Sequence, residues 1–243
     1  EIASCLVGSE MCIRDRADKV SLALLKFFTV LTSLGAKERL ALSFRHMNDD
    51  PQNHIRVIPP LLRREVTLHE PYSGDYIHGY MVNAGFSENV MKWHRQHPGI
   101  PLRFFWDKWE EEPVKRVDNT LSFYQLDDVE FLRQMAGCKA YASTAGFESV
   151  CEAMYLGKPI LMVPAHIEQD CNAYDAEKSG AGIISSDFNL QQLLEFAKDY
   201  HPNRDFVYWV RGAEYTLLNL LESDSSNYQQ ILFNEMYLVE EFI

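Results

Sequence analysis

The chain has 243 residues, enough for one large domain or two modest ones, and 47% of them are hydrophobic and 12% aromatic, enough to fill a core. Its formal net charge is −12 with no basic run, a poor electrostatic match for nucleic acid. Of five cysteines, Cys138, Cys151 and Cys171 lie outside an anomalous leader and form no C-x-x-C, so reduced thiols of a cytosolic protein are expected.

In chain order, Leu6–Arg16 reads like the in-frame translation of a sequencing adaptor. Residues 1–16 are therefore expected to be a scar that packs against nothing. With acids mixed in and no sustained apolar core, they are no signal peptide. Residues 17–70 read as the end of a preceding α/β domain and its linker. Val20–Leu34 carries Leu24, Phe27, Phe28, Leu31 and Leu34 at helical spacing. A core helix is expected there, with a membrane-facing amphipathic helix as the alternative; the run is too short to span a bilayer. Arg39–Phe44 and Ile55–Ile58 read as strands, and Pro59-Pro60 opens the linker.

Residues 74–222 alternate strands and helices. Strands are expected at Tyr76–Val82, Leu102–Trp106, Thr120–Phe123, Ala140–Ala142 and Pro159–Val163, with another beginning at Ile183. Helices are expected at Glu88–His97, Val129–Gly137, Gly146–Leu156, Leu190–Ala197 and Val207–Leu221. Such alternation implies a doubly wound, mostly parallel, Rossmann-like α/β sheet. His94 and His97 fall on a helix that reads as solvated. The role of residues 223–243 is not legible.

Chemistry concentrates in Ser143–Ala173. Ser143 and Thr144 are candidate N-caps, and Gly146 allows close approach to the first amides of a helix, which suit a diphosphate. Glu152, six residues after Gly146, could accept two vicinal ribose hydroxyls. Gly157 and Pro159 end the helix. After the strand, Ala165–Asn172 reads as a polar loop at the ligand edge, where Glu168 and Gln169 could bind sugar hydroxyls. Asn83-Ala84-Gly85 follows the first strand of the sheet, so its amides could face the phosphates or form a plain turn. Gln125 and Leu126 could meet a base through their backbone, though an ordinary loop is the simpler reading. No D-x-D occurs that would clamp a diphosphate through a metal.

Gly146, Ser149, Glu152, Gly157, Pro159, Pro164, Glu168-Gln169 and Asn172-Ala173 resemble, in order and spacing, the donor-binding signature of GT-B glycosyltransferases. That family includes the bacterial lipid-II N-acetylglucosaminyl transferase and the UDP-glucuronosyl and plant transferases. The resemblance implies sugar transfer from a UDP-sugar to an acceptor hydroxyl, with no metal or other cofactor. It implies donor-site residues Asn83, Gly85, Thr144, Gly146, Ser149, Glu152, His166, Glu168, Gln169 and Asn172, with Glu152 on the ribose and Glu168 and Gln169 on the sugar. The catalytic base is not assigned. The acceptor is not assigned, a lipid or a glycan being the candidates; no nucleic acid and at most peripheral membrane contact are expected, in the cytoplasm or at the inner membrane face. A UDP-sugar 2-epimerase or hydrolase of the same fold, or a non-catalytic nucleotide-sugar-binding module, are the alternatives. Two departures stand out. Thr144 occupies the place of a phosphate-binding His found in many plant and animal members, and Glu148 adds a negative charge near the presumed phosphate site that must point away, or the phosphate assignment weakens.

Overall fold

The computed structural model describes residues 2–4, 19–108 and 112–222. The first segment holds strand β1 (Ile2–Ser4), helix α1 (Lys19–Thr32), strands β2 (Arg39–Leu42) and β3 (Ile55–Ile58), and a short helix α2 (Arg64–Leu68). Strands β1, β2 and β3 form a parallel three-stranded sheet. Ile2–Ser4 pairs with Leu40–Leu42, so the start of the leader does not stand free as expected; the rest of it lies outside the described residues.

The larger part contains β4 (Ile77–Met81), α3 (Ser87–Gln96), β5 (Leu102–Trp106), β6 (Val114–Arg116), β7 (Leu121–Gln125), α4 (Asp128–Gly137) and β8 (Ala140–Ser143). It continues through α5 (Phe147–Tyr155), β9 (Ile160–Met162), α6 (Ile167–Lys178), β10 (Gly182–Ile184), α7 (Leu190–Phe196) and α8 (Arg204–Arg211). The seven strands run in the order β10-β9-β8-β4-β5-β7-β6, parallel except for the short edge strand β6. The chain winds outward from β4 through β5 to β7, then returns to lay β8 against the other side of β4. That reversal opens a crevice at the carboxyl ends of β4 and β8, where α/β sheets bind ligands.

Alternation along each strand fills two layers. Phe105, Tyr141 and Met162 face α4, α5 and α8 through Phe131, Met135, Val150 and Phe206. Phe104, Leu121 and Leu161 face the opposite layer, with Val90, Trp93, Phe188 and Leu193. Gly79 is required in β4 because a Cβ there would fall inside the Phe104 ring. The two sheets are tied together: Trp209 Nε1 donates to the Ser43 carbonyl at 3.0 Å, and Phe44 packs on Phe147 at 4.7 Å between ring centroids.

Several expectations change. α1 forms, but Leu24, Phe27, Phe28, Leu31 and Leu34 are exposed, Phe28 by 62%, so it is not a core helix among the described residues. No described helix is long and apolar enough to cross a membrane. The helix expected over Val207–Leu221 begins at Arg204, turns at Gly212 and resumes over 213–222. His94 is buried and bonded to Asp118 at 2.8 Å, and His97 stacks on Trp93, so this histidine pair belongs to the core edge and not to a solvated face.

Candidate functional site

The loop from β8 into α5 is built to present a bare helix start. Ala145 takes a left-handed conformation, φ 61°, steadied by its own amide donating to Ser143 Oγ at 3.1 Å. Asn172 Nδ2 donates to the Ala145 carbonyl at 3.4 Å from the neighbouring helix. Thr144 is buried; its amide donates to the Tyr80 carbonyl and its hydroxyl accepts from the Val82 amide, both at 3.3 Å. The N-cap is therefore Gly146, not Ser143 or Thr144. Gly146 has no side chain to cap with, and the first amide in the helical ladder is that of Val150, which donates to the Gly146 carbonyl. The amides of Phe147, Glu148 and Ser149 precede that ladder and carry the positive end of the helix.

A cavity of about 620 Å³ opens in front of this helix start. Gly146, Phe147, Glu148, Ser149 and Glu152 line one wall, Tyr80, Leu126 and Phe131 another, and Leu42, Pro60, Leu61 and Arg63 of the first segment a third. Glu168 completes the rim. It stands in the first turn of α6, which begins at Ile167, where a loop was expected.

Glu152 is 1% exposed, and its carboxylate accepts from Arg63 Nε at 2.6 Å and Nη2 at 2.7 Å. Arg63 also reaches Asp128 through Nη1 at 2.9 Å. Burial pushes the Glu152 carboxyl above the usual range, against the lowering effect of Arg63. Tyr80 beside it is also raised, by burial and by Asp107.

The cavity thus brings together Gly146, Ser149, Glu152 and Glu168. The remaining predicted residues do not line it. Asn83 Oδ1 accepts from the Gly85 amide at 2.7 Å, closing a short turn, so that amide is committed to Asn83. Gln169 is buried and turns its Oε1 to the Ala165 amide at 2.9 Å, and Asn172 holds the Ala145 turn. His166 is exposed at the start of α6. Glu148 does not point away; it lines the cavity. Sequence reasoning missed Arg63, 89 residues before its partner, and with it Tyr80, Asp128 and Phe131. The one signal was a basic pair, Arg63-Arg64, in an otherwise proline-marked linker.

A second cavity of about 490 Å³ lies near the amino end of β9, lined by Tyr72, Tyr155, Lys158, Tyr200 and Pro202. Its buried Lys158 donates to the carbonyls of Tyr72 at 2.7 Å and Cys138 at 3.0 Å, and burial lowers its pKa.

The profile of glycosyl transferase family 1 matches residues 18–200. A stretch of 105 residues, 42% of the chain, is 26% identical to the Caenorhabditis elegans protein named "Putative UDP-glucuronosyltransferase ugt-48" and covers 20% of it. Among solved structures, Arabidopsis thaliana UGT89C1 complexed with quercetin matches with a TM-score of 0.59 at 15% identity, over 92% of this chain and 65% of that one. The kitacinnamycin glycotransferase matches at 0.55 and 14%, over 86% and 63%. The calicheamicin glycosyltransferase CalG4 matches at 0.54 and 12%, over 85% and 61%. The chain spans a fifth of the curated relative and less than two thirds of the length of each of these structures. The structural likenesses establish the GT-B fold. With well over half of its length matched by the profile, the chain belongs to glycosyl transferase family 1.

Proposed function

We propose that this chain is the donor-binding part of an enzyme that transfers a sugar from a UDP-sugar to an acceptor hydroxyl. One observation carries the reading: the bare N-terminus of α5 and the buried carboxylate of Glu152 open into one cavity at the β4–β8 switch point. The amides after Gly146 stabilise the charge that develops on the diphosphate as the sugar leaves. Glu152 receives the ribose hydroxyls, and Glu168 reaches the sugar from the rim. In the reaction the acceptor oxygen bonds to the anomeric carbon, the bond from that carbon to the diphosphate breaks, and the hydroxyl proton passes to a base outside the residues assigned here. The acceptor, a lipid or glycan, enters from the side built by the first segment. A cytoplasmic location at the inner membrane face fits such an acceptor.

Calorimetry tests the donor assignment. Glu152→Ala is expected to weaken UDP binding by about 1.5–3 kcal/mol, the range for a hydrogen bond to a charged group. Equal affinity in the variant would remove Glu152 from the site. Chelator is expected to leave UDP binding unchanged. A 2-epimerase or hydrolase would consume UDP-sugar without an acceptor, and a pure binding module would consume none with any acceptor. Acceptor-dependent product from UDP-sugar across a panel of hydroxyl acceptors is the outcome that supports the transferase reading.

A further inference from the structure

The two larger cavities carry opposite charge. The front one is lined by four carboxylates, Asp128, Glu148, Glu152 and Glu168, with Arg63 as the cation. The second, at the amino ends of β8 and β9, is lined by Lys139 and Lys158 and by no carboxylate. In a chain of net charge −12, such a space favours an anion. Its volume of about 490 Å³ is that of a small-molecule pocket. Two polar groups of its lining are left incomplete. Lys158 is 4% exposed, and of the three N–H donors of its ammonium two go to the carbonyls of Tyr72 and Cys138. Among the described residues no carboxylate pairs with it, so neutral carbonyls alone face a buried cation. The Tyr200 hydroxyl is buried without a hydrogen-bond partner, and burial lifts its pKa to about 12, so it keeps a proton to donate. The remaining wall is flat and apolar, with Pro159, Pro202 and the rings of Tyr72 and Tyr155. It is held in place: a Cβ on Gly157 would come within 3.1 Å of Pro202, and the next residue, Asn203, donates from Nδ2 to the Ser179 carbonyl at 2.7 Å.

We propose that this rear cavity is a second ligand site, for a planar apolar molecule bearing a single carboxylate that pairs with Lys158 and accepts from the Tyr200 hydroxyl. The two free donors match the two oxygens of one carboxylate, and the charge-assisted pair supplies the counterion that the buried ammonium lacks. The proline and tyrosine surfaces cover the apolar body of the ligand. The site lies at the opposite ends of the strands from the front cavity, and it stands whether or not the donor-site reading holds.

NMR titration of the chain with 2-naphthoate and with its uncharged isostere 2-naphthamide tests the inference. 2-Naphthoate is expected to bind at least about tenfold more tightly, as for a hydrogen bond to a charged group, with the largest amide shifts at Tyr72, Gly157, Lys158 and Ala197. Lys158→Met is expected to remove that preference. Because Lys158→Met also takes the donor from two carbonyls and puts the fold at risk, two milder variants accompany it. Tyr200→Phe is expected to weaken 2-naphthoate by about threefold to tenfold, and Ala197→Trp, which fills the cavity from its wall, to abolish binding of both probes. Equal affinity for the two probes, shifts centred on Gly146–Ser149, or 2-naphthoate binding unmoved by Tyr200→Phe and Ala197→Trp would each overturn the assignment. So would the absence of saturable binding by 2-naphthoate.

Discussion

Helices α1 and α5 are both strongly apolar in sequence, yet they meet opposite surroundings. In α5, Phe147, Val150, Cys151, Ala153 and Met154 are all buried, because the helix joins two adjacent central strands of a seven-stranded sheet that is packed on both faces. In α1, which precedes β2 of a sheet of only three strands, Leu24, Phe27, Phe28 and Leu31 are exposed. Apolar spacing fixes that a helix forms; the number of strands and layers around it decides whether that face is covered. The functional consequence lies with α5. Its rigid bed holds the bare turn at Gly146 and the carboxylate of Glu152 in fixed relation, whereas α1 contributes no residue to the cavity lining.

The sharpest way to test this contrast is to remove a ring beneath the α5 layer. Phe105 is fully buried and meets Phe131, Tyr124 and His78. Phe105→Ala is expected to destabilise by about 3–5 kcal/mol in urea unfolding. A loss below about 1 kcal/mol would mean the layer is far looser than its burial indicates.

A second effect comes from His78 in the same layer. The ring is buried among Phe105, Phe131 and Tyr141, and neither ring nitrogen has a hydrogen-bond partner. Burial, with Arg103 and Lys158 adding and Glu130 opposing, lowers its pKa from 6.5 to about 3. The unfolded chain therefore binds a proton between these values that the folded chain refuses. The contribution of neutral His78 is fully present above about pH 6.5 and is lost as pH falls toward about 3. This amounts to a few kcal/mol at the acid end, on the order of 1.4 kcal/mol per pH unit. His78→Phe is expected to match the wild type near neutrality and to show a shallower loss on acidification. Parallel pH profiles would contradict the buried neutral ring.

The smallest effect is expected at α1. Replacing Phe27 and Phe28 together by Ser should change stability by no more than about 0.5 kcal/mol per site, as for exposed positions. A loss of several kcal/mol would show that this face is covered after all.

The parts legible in the sequence were those set by local rules. The strands β4, β5, β7, β8 and β9 announce themselves as apolar runs between turn residues. Gly157, at φ 67°, ends its helix as a left-handed glycine should. The Gly146–Glu152 spacing located one wall of the cavity. What could not be read depends on distant partners. Nothing near Glu152 indicates that Arg63 reaches it from the linker. Nothing in the His94 neighbourhood indicates the Asp118 carboxylate, held well below the usual range by the Thr120 amide first and then by His94. The strand β6 is short and two of its three residues are charged, so its pairing with β7 gives no pattern of its own. The polar stretch at Ala165 looked like a loop because α6 shows weak amphipathicity, with buried Gln169, Asn172 and Asp175 interrupting its apolar face.

The central claim is that UDP binds at the start of α5, and backbone amide shifts on titration with UDP test it most directly. The largest changes are expected at Gly146, Phe147, Glu148 and Ser149, with the Arg63 side-chain Nε resonance moving in step. Changes concentrated instead around Tyr72, Lys158 and Tyr200 at the second cavity, or no saturable change at Gly146–Ser149, would contradict it.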